Sequence, residues 1–415
     1  MSSDGSEVSR DLHSADLHPG GLRSSEESPA KTRFEFATAP RVVFGVGTLT
    51  EAGPTARAYG RRALVVTGST ATRATPLNDL LLAHGLTVVS FSTAGEPDVD
   101  TVRRGADLAR SEGCDLVVGM GGGAAIDAGK AIAAMTTNEG DVLEYLEIIG
   151  GGRQLQLPAA PFIAVPTTAG TGAEVTRNSV IASPPDRVKV SLRSPLMMPR
   201  VAIVDPELTY ELPPEITAAT GMDALTQLIE PFLCTRANPL TDGLAREGLQ
   251  RVGGSLLRAF ADGHDRSARE DMAIASLFGG MALANAGLGA VHGLAAPLGG
   301  MVSIPHGVVC AALLPHVVET NLRALKERAP DAAVLDRFDE AAVLLTARAS
   351  AVAEDLVDWL RVLSAGLGLR GLGSYGLREE HLPELAAKAA RANSMKANPI
   401  ALSEQELMET VRAAL

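Results

Sequence analysis

Two histidines, His292 and His306, stand in a stretch from Gly287 to Gly307 that is otherwise built of small and apolar residues. A neutral imidazole is the commonest protein ligand of a transition metal, and a ring in apolar surroundings needs partners for its polar nitrogens. A single buried histidine is most simply satisfied by one backbone carbonyl. Two of them, each followed by glycine and with no charge nearby, point instead to a shared site. Their spacing fits neither a helical His-Glu-x-x-His pair nor a Cys/His finger. A third ligand must therefore come from elsewhere in the chain.

Asp223 is the candidate. In the run from Gly221 to Pro231, Asp223 and Gln227 lie four apart and so share one face of a helix, while Met222, Leu225, Ile229 and Phe232 take another. Such a polar pair is ordinarily a solvated stripe. Beside two imidazoles, however, a carboxylate completes a common open ligand set for a divalent metal.

A second chemistry is written in two small-residue turns. Gly119 to Lys130 joins a strand to a helix, and Gly119, Gly121 and Ala124 match the dinucleotide pattern G-x-G-x-x-A. Glycines let backbone N–H groups approach a phosphate, and the helix N-terminus adds partial positive charge. The second turn, Thr167 to Glu174, is rich in hydroxyls that donate to phosphate or ribose. Either turn alone is ordinary loop chemistry; the two together suggest a nucleotide.

The elements that must position these residues follow from periodicity. Strands are expected at Arg41 to Gly47, Arg62 to Thr67, Thr87 to Phe91, Cys114 to Gly119, Pro161 to Pro166 and Val201 to Pro206. Helices are expected at Leu49 to Tyr59, Pro76 to His84, Val99 to Glu112 and through Ala131 to Met135. Strand, helix, strand in close succession implies a parallel sheet, which binds ligands at the carboxyl ends of its strands. From Pro213 onward the periodicity is helical: Met222 to Phe232, Leu240 to Ala259, Met272 to Asn285, Leu335 to Leu363, and a last helix opened by the capping box Ser403 to Glu406. The expected organisation is a disordered tail over 1–32 holding His13 and His18, an α/β dinucleotide-binding domain over 33–205, and an all-α metal and substrate domain over 206–415.

Composition narrows the function classes. In 415 residues, a net charge of −12 and 3% aromatic residues argue against nucleic-acid binding, which needs basic patches and stacking platforms. Hydrophobic residues at 46% and charged residues at 21% describe an ordinary globular chain. No uninterrupted apolar run reaches about 18 residues, so no membrane span is expected. Cys114, Cys234 and Cys310 are widely separated and odd in number, which suggests neither a disulfide framework nor a thiolate metal cluster, and fits a reducing, cytoplasmic setting.

Several motifs in order resemble the iron-containing, or group III, alcohol dehydrogenase family over roughly residues 34 to 415. They are Phe44 to Gly47, the glycine run ending at Lys130, Pro166 to Gly172, Val204 to Pro206, Gly221 to Leu225, His292, Pro305 to Gly307, and Asn398-Pro399. The resemblance implies the dehydroquinate synthase-like fold, an α/β nucleotide domain and a helical domain with NAD(P) and a divalent metal, Fe²⁺ or Zn²⁺, in the cleft between them. It implies that Gly121, Gly122, Gly123 and Ala124 meet the pyrophosphate with Asp127 supporting the turn. Thr167, Thr168 and Thr171 would line the ribose and nicotinamide side, and Lys189 would reach the same region. Asp223, His292 and His306 fall on metal-ligand positions and are the expected catalytic residues. A small alcohol, aldehyde or ketone is the implied substrate, and a homodimer or larger homo-oligomer the implied assembly.

This chain departs from the family pattern in three places. Gln227 stands where a third histidine ligand is usual, and Ala296 stands where a further active-site histidine is usual, four residues after His292. A glutamine carbonyl is a poorer donor than imidazole for iron. Two outcomes are open: a three-ligand site of Asp223, His292 and His306 with water, resembling the zinc-using glycerol dehydrogenases, or loss of the metal, as in the maleylacetate reductases. Retention of Asp223 favours the first. In the second, Arg177, Lys189 or Arg193 would contact a dicarboxylate. A nucleotide-binding regulator without turnover is a reading of another class. The third departure is Gly68, where NAD-preferring relatives frequently carry an aspartate on the ribose 2′-OH; glycine there admits NADP as well as NAD.

Overall fold

Runs of Val, Leu, Ile and Ala form one six-stranded, all-parallel sheet in a computed structural model that describes residues 33–186 and 188–415. The strands are β1 (Arg41–Phe44), β2 (Arg62–Thr67), β3 (Thr87–Ser92), β4 (Leu116–Gly121), β5 (Phe162–Pro166) and, after a hairpin, β8 (Val201–Val204), in the order β1-β8-β5-β4-β2-β3. The inner strands read as unbroken apolar runs because helices cover both faces; all six residues of β4 and all five of β5 are buried. Those helices are α1 (Ala52–Tyr59), α2 (Thr75–Ala83), α3 (Val99–Ser111) and α4 (Gly123–Thr137), with the one-turn α5 (Val142–Tyr145).

The strand order reverses at β2 and β4. The chain leaves β2 for the edge strand β3 and returns to lay β4 on the other side of β2. Loops leaving β2 and β4 therefore part from one another, and a crevice opens at their carboxyl ends. Gly68 follows β2 and Gly121 closes β4, so both arrive at that crevice.

One element was not expected from the sequence. Asn178–Ser183 (β6) and Val188–Arg193 (β7) pair antiparallel, Asn178 opposite Arg193. Their period-two pattern around Pro184 to Asp186 is a hairpin signal, hidden by the polar serines on one side. The buried Lys130 of α4 fastens this hairpin, as described below.

No strand follows Val204 among the described residues, and Phe36–Leu415 forms one compact unit. The helices after that strand are α6 (Pro214–Leu233), α7 (Pro239–Ala261), α8 (Arg266–Asn285), α9 (Ala290–Met301), α10 (His306–Arg328), α11 (Val334–Thr346), α12 (Ala353–Gly366), α13 (Leu382–Ala390) and α14 (Glu404–Ala413). Three expectations need correction. The helix expected over Leu335 to Leu363 is two helices, α11 and α12, because the chain turns left-handed at Ala347, φ 55°. The helix expected from Met222 begins at Pro214, whose ring is tolerated in a first turn. The stretch carrying both histidines, not among the helices expected above, is helical: His292 is on α9 and His306 opens α10, despite Pro297 and Pro315 inside them. α10 is long and apolar enough to cross a membrane, but most of its apolar length is buried within the helical core. The tail expected over 1–32, with His13 and His18, lies outside the described residues.

Candidate metal centre and nucleotide crevice

Three helices bring the predicted ligands together. α6 is buried almost throughout its length, so its polar residues face neighbouring helices rather than water. Asp223, on α6, is 2% exposed. His292 Nε2 stands 3.5 Å from Asp223 Oδ1 and His306 Nε2 stands 3.7 Å from the same oxygen. The two imidazoles are tilted neighbours, with ring centroids 5.4 Å apart. A fourth donor, Cys310 Sγ, lies 3.6 Å from His306 Nε2 and 3.9 Å from His292 Nε2. The four donor atoms lie within 4.8 Å of one another.

Gln227 is one helical turn from Asp223, as expected. Both Asp223 Oδ1 and Gln227 Oε1 are buried without a hydrogen-bond partner. An orphaned buried acceptor costs about 1–3 kcal/mol, more when charged. A divalent cation bound among these donors would satisfy them, so the residues present fit such a group.

The cluster is held from behind. Glu230, two turns after Asp223 on α6, accepts from the Val291 amide at 2.7 Å and from His292 Nδ1 at 2.6 Å. That bond fixes the ring so that Nε2 faces Asp223, the carboxylate–histidine support typical of metal sites. α9 begins at Gly289, which has no capping side chain, and its first amides are capped from a distance instead. Asn398 Oδ1 accepts from Ala290 N at 3.0 Å, and Asn398 is locked in turn by Asn321. The Asn398-Pro399 motif thus acts on the helix that carries His292.

The electrostatics suit a cation. Burial pushes the Asp223 carboxyl up, but the neighbouring His306 and His292, with a smaller effect from Gln227, outweigh it and hold the group below its ordinary value. The neighbouring Cys310 raises His306 to about 9, with burial opposing and Asp223 adding. Burial also opposes charge on His292, yet Cys310, Glu230 and Asp223 hold its pKa well above the usual value. A carboxylate held low beside two imidazoles held high is a donor set from which a divalent cation displaces protons.

The nucleotide candidates meet at the mouth of the sheet. α4 begins within the glycine run itself, with Gly122 as its N-cap and no side chain on that end. A Cβ on Gly121 would lie 2.6 Å from Ala125 Cβ, and one on Gly123 would lie 2.6 Å from Thr171 Cγ2. Only glycine therefore allows the two turns to close on each other. Thr168 faces Gly122 in the same way, and Gly170 packs on Thr220, three residues before Asp223. Ala124 continues the first turn of α4 and Thr167 N donates to Gly121 O at 2.9 Å. The glycine turn, the threonine turn and the helix carrying Asp223 are thus contiguous. Around Gly68 nothing comes within 4 Å of a would-be Cβ, so the end of β2 is open.

Asp127 and Lys189 are both ion-paired. Asp127 does not reach the turn among the described contacts; its Oδ2 accepts from Val180 N of the hairpin at 3.1 Å, and its Oδ1 pairs with Lys130 Nζ at 3.1 Å. Lys189 pairs with Glu96 and lies along Gly299 of α9. Lys130 is fully buried and donates to Ala173 O at 2.9 Å, Thr176 Oγ1 at 3.0 Å and Asn178 O. It therefore ties α4 to the threonine turn and the hairpin.

Beside Lys130 is Glu174, 3% exposed. Burial pushes its carboxyl up to about 7, against its own amide and the Lys130 charge. A folded pKa above the unfolded value contributes stability that is complete below about 4.5 and is lost as pH rises through about 7. That shift corresponds to about 3 kcal/mol. Denaturant unfolding of the wild type and of Glu174→Gln should show the wild type losing about 3 kcal/mol relative to the variant between about pH 4.5 and about pH 8. A difference that stays constant over that range contradicts the assignment.

Two residues of the cluster were missed by sequence reasoning. Glu230 was passed over because only the Asp223–Gln227 pair was read along α6, although a two-turn spacing returns to the same face. Cys310 was passed over because the cysteines were counted as a set. The signal was His306-x-x-x-Cys310, an i,i+4 pair, which is visible only once the segment is seen as a helix.

A crevice of small-residue turns at the carboxyl ends of a parallel sheet, adjoining a buried carboxylate–imidazole cluster on helices, places the molecule among two-part nucleotide-linked dehydrogenases. Residues 39–206 match the model for iron-containing alcohol dehydrogenase and residues 217–415 match the model for the C-terminal region of the Fe-containing alcohol dehydrogenase family, and the chain belongs to that family. It is 39% identical over 342 residues to 1,3-propanediol dehydrogenase of Citrobacter freundii, covering 81% of this chain and 86% of that protein. It is 40% identical over 323 residues to 4-hydroxybutyrate dehydrogenase of Cupriavidus necator, covering 76% and 82%. The solved structure of a 1,3-propanediol oxidoreductase superposes with a TM-score of 0.85 at 34% identity, covering 92% of this chain and all of that one.

Proposed function

We propose that the protein is an NAD(P)-dependent oxidoreductase that moves a hydride between nicotinamide and a small primary alcohol or its aldehyde, with a divalent metal at Asp223, His292 and His306. The single observation that carries this reading is the convergence of two imidazole nitrogens on the partnerless Asp223 oxygen, next to a turn that closes on the glycine run. Relatives named as propanediol and hydroxybutyrate dehydrogenases support turnover over a regulatory role, and support short substrates with a terminal hydroxyl.

When bound, the cation supplies Lewis acidity to the substrate oxygen and nicotinamide accepts or donates the hydride. The rest is the work of this chain's residues. Gly121, Gly122, Gly123 and Ala124 present amides to the pyrophosphate at the start of α4, with Asp127 and Lys130 behind them holding the hairpin. Thr167, Thr168 and Thr171 face the same crevice from β5. In oxidation the alcohol loses a hydride to nicotinamide and its hydroxyl proton to solvent. His306 has a side chain 39% exposed against 3% for Asp223 and 9% for His292, so the proton leaves on its side. Ala296 offers no proton carrier, which leaves that route to water on the exposed side of His306.

The maleylacetate reading is disfavoured by pairing. Lys189 is held by Glu96 and Arg193 by Glu147 at 3.0 Å, so neither is a ready dicarboxylate clamp. Monitoring nicotinamide absorbance with short alcohols and aldehydes, NAD and NADP, tests the proposal. Activity is expected with three- to four-carbon terminal alcohols; failure of every alcohol, aldehyde and cofactor pair contradicts it.

Cofactor choice has its own test. The open space at Gly68 admits a carboxylate at the end of β2, where it would accept from a ribose 2′-OH and repel a 2′-phosphate. Gly68→Asp should raise the ratio of kcat/KM for NAD over NADP by about tenfold, a difference of about 1.4 kcal/mol. An unchanged ratio would place the adenosine ribose elsewhere.

A further inference from the structure

Gln227 leaves the centre without its third imidazole, and the structure assigns the replacement: we infer that Cys310 supplies a thiolate as fourth metal ligand, and that the resulting set favours zinc over iron. The inference rests on the metal-dependent reading above and deepens it.

Four observations support it. Cys310 is fully buried, on the same helical face as His306 one turn away. Buried cysteines usually act as small hydrophobes, yet this sulfur faces two imidazole nitrogens, at 3.6 and 3.9 Å. For bonds of about 2.0–2.3 Å, tetrahedral ligand atoms lie roughly 3.3–3.8 Å apart. The separations from Asp223 Oδ1, 3.5 and 3.7 Å, and those from the sulfur fall in or next to that range. Finally, Asp223 Oδ1 is buried without a partner and aims into the same space.

Charge and softness favour the same assignment. One carboxylate and one thiolate neutralise a divalent cation, so a buried site with two neutral imidazoles carries no net charge. A thiolate is a soft ligand that selects zinc, whereas the hard oxygen and imidazole sets suit iron. Gln227, one turn from Asp223 on α6, is buried with its Oε1 unpartnered and offers only an amide where an imidazole is usual. Zinc sites sometimes expand to five ligands, so a fourth protein donor would be compatible with a bound substrate oxygen.

Cobalt(II) reports the ligand directly. Purified full-length protein is stripped with a chelator, reloaded with cobalt(II), and its absorption recorded for the wild type, Cys310→Ser and Cys310→Ala. The expected result is a near-ultraviolet thiolate-to-cobalt band in the wild type, lost in both variants while visible d–d bands persist. Competition with equal zinc and ferrous iron under anaerobic conditions should load zinc in the wild type, and Cys310→Ser should weaken zinc binding about tenfold or more. Visible cobalt bands in the wild type without the thiolate band overturn the role of Cys310 but leave the metal centre standing. A wild type that binds neither cobalt nor zinc overturns both. Iron loaded in preference to zinc overturns the selectivity.

Discussion

Asp223→Ala should lower kcat/KM for alcohol oxidation by about a thousandfold or more while leaving nucleotide affinity within a few-fold of wild type. Lewis-acid stabilisation contributes several kcal/mol to such a transition state, and each 1.4 kcal/mol is about a factor of ten in rate. Asp223 is the oxygen on which both imidazoles converge, and it is buried at the centre of α6. The glycine turn that would hold the pyrophosphate belongs to another element, so cofactor binding should survive. Steady-state kinetics, nucleotide titration and metal content per chain give the three readouts, with Asp223→Asn as a variant of matched volume. Loss of nucleotide affinity in parallel with activity would mean a general collapse of the fold instead.

The second large effect concerns stability. Lys130→Met should destabilise the protein by about 3–5 kcal/mol, the usual result of breaking a buried ion pair by removing one partner. Burial pushes the Lys130 ammonium below its ordinary value, opposed by Asp127 and Glu174, and the Asp127 carboxyl above its own, opposed by Lys130 and the Val180 amide. Without the ammonium, Asp127 keeps the Val180 amide alone, and the carbonyls of Ala173 and Asn178 lose their donor. The midpoint of denaturant unfolding checks the magnitude. A change under about 1 kcal/mol would show that water replaces the ammonium.

The sheet was legible in the sequence because its strands are apolar runs separated by helices with clear periodicity. The crevice was legible because glycines and threonines fall at strand ends. Where reasoning failed, local signals conflicted with packing. Gly293, Pro297, Gly299 and Gly300 disguise α9, and Gly307 and Pro315 disguise α10; tertiary burial overrides that weak propensity. Losing those helices hid the His306–Cys310 face and made the cysteines look unrelated. The partner of Asp127 on Val180 was not legible because it lies on a hairpin that the pattern did not announce. Three of the expected metal positions, Asp223, His292 and His306, do meet, which sequence spacing alone has no means to establish.

The most direct test of the central claim is nicotinamide reduction by a short terminal alcohol, measured on protein stripped of metal and then reloaded with zinc. The account predicts that stripping abolishes turnover while the cofactor still binds, and that zinc restores it to the starting rate. Full turnover in protein shown to carry no metal would contradict it.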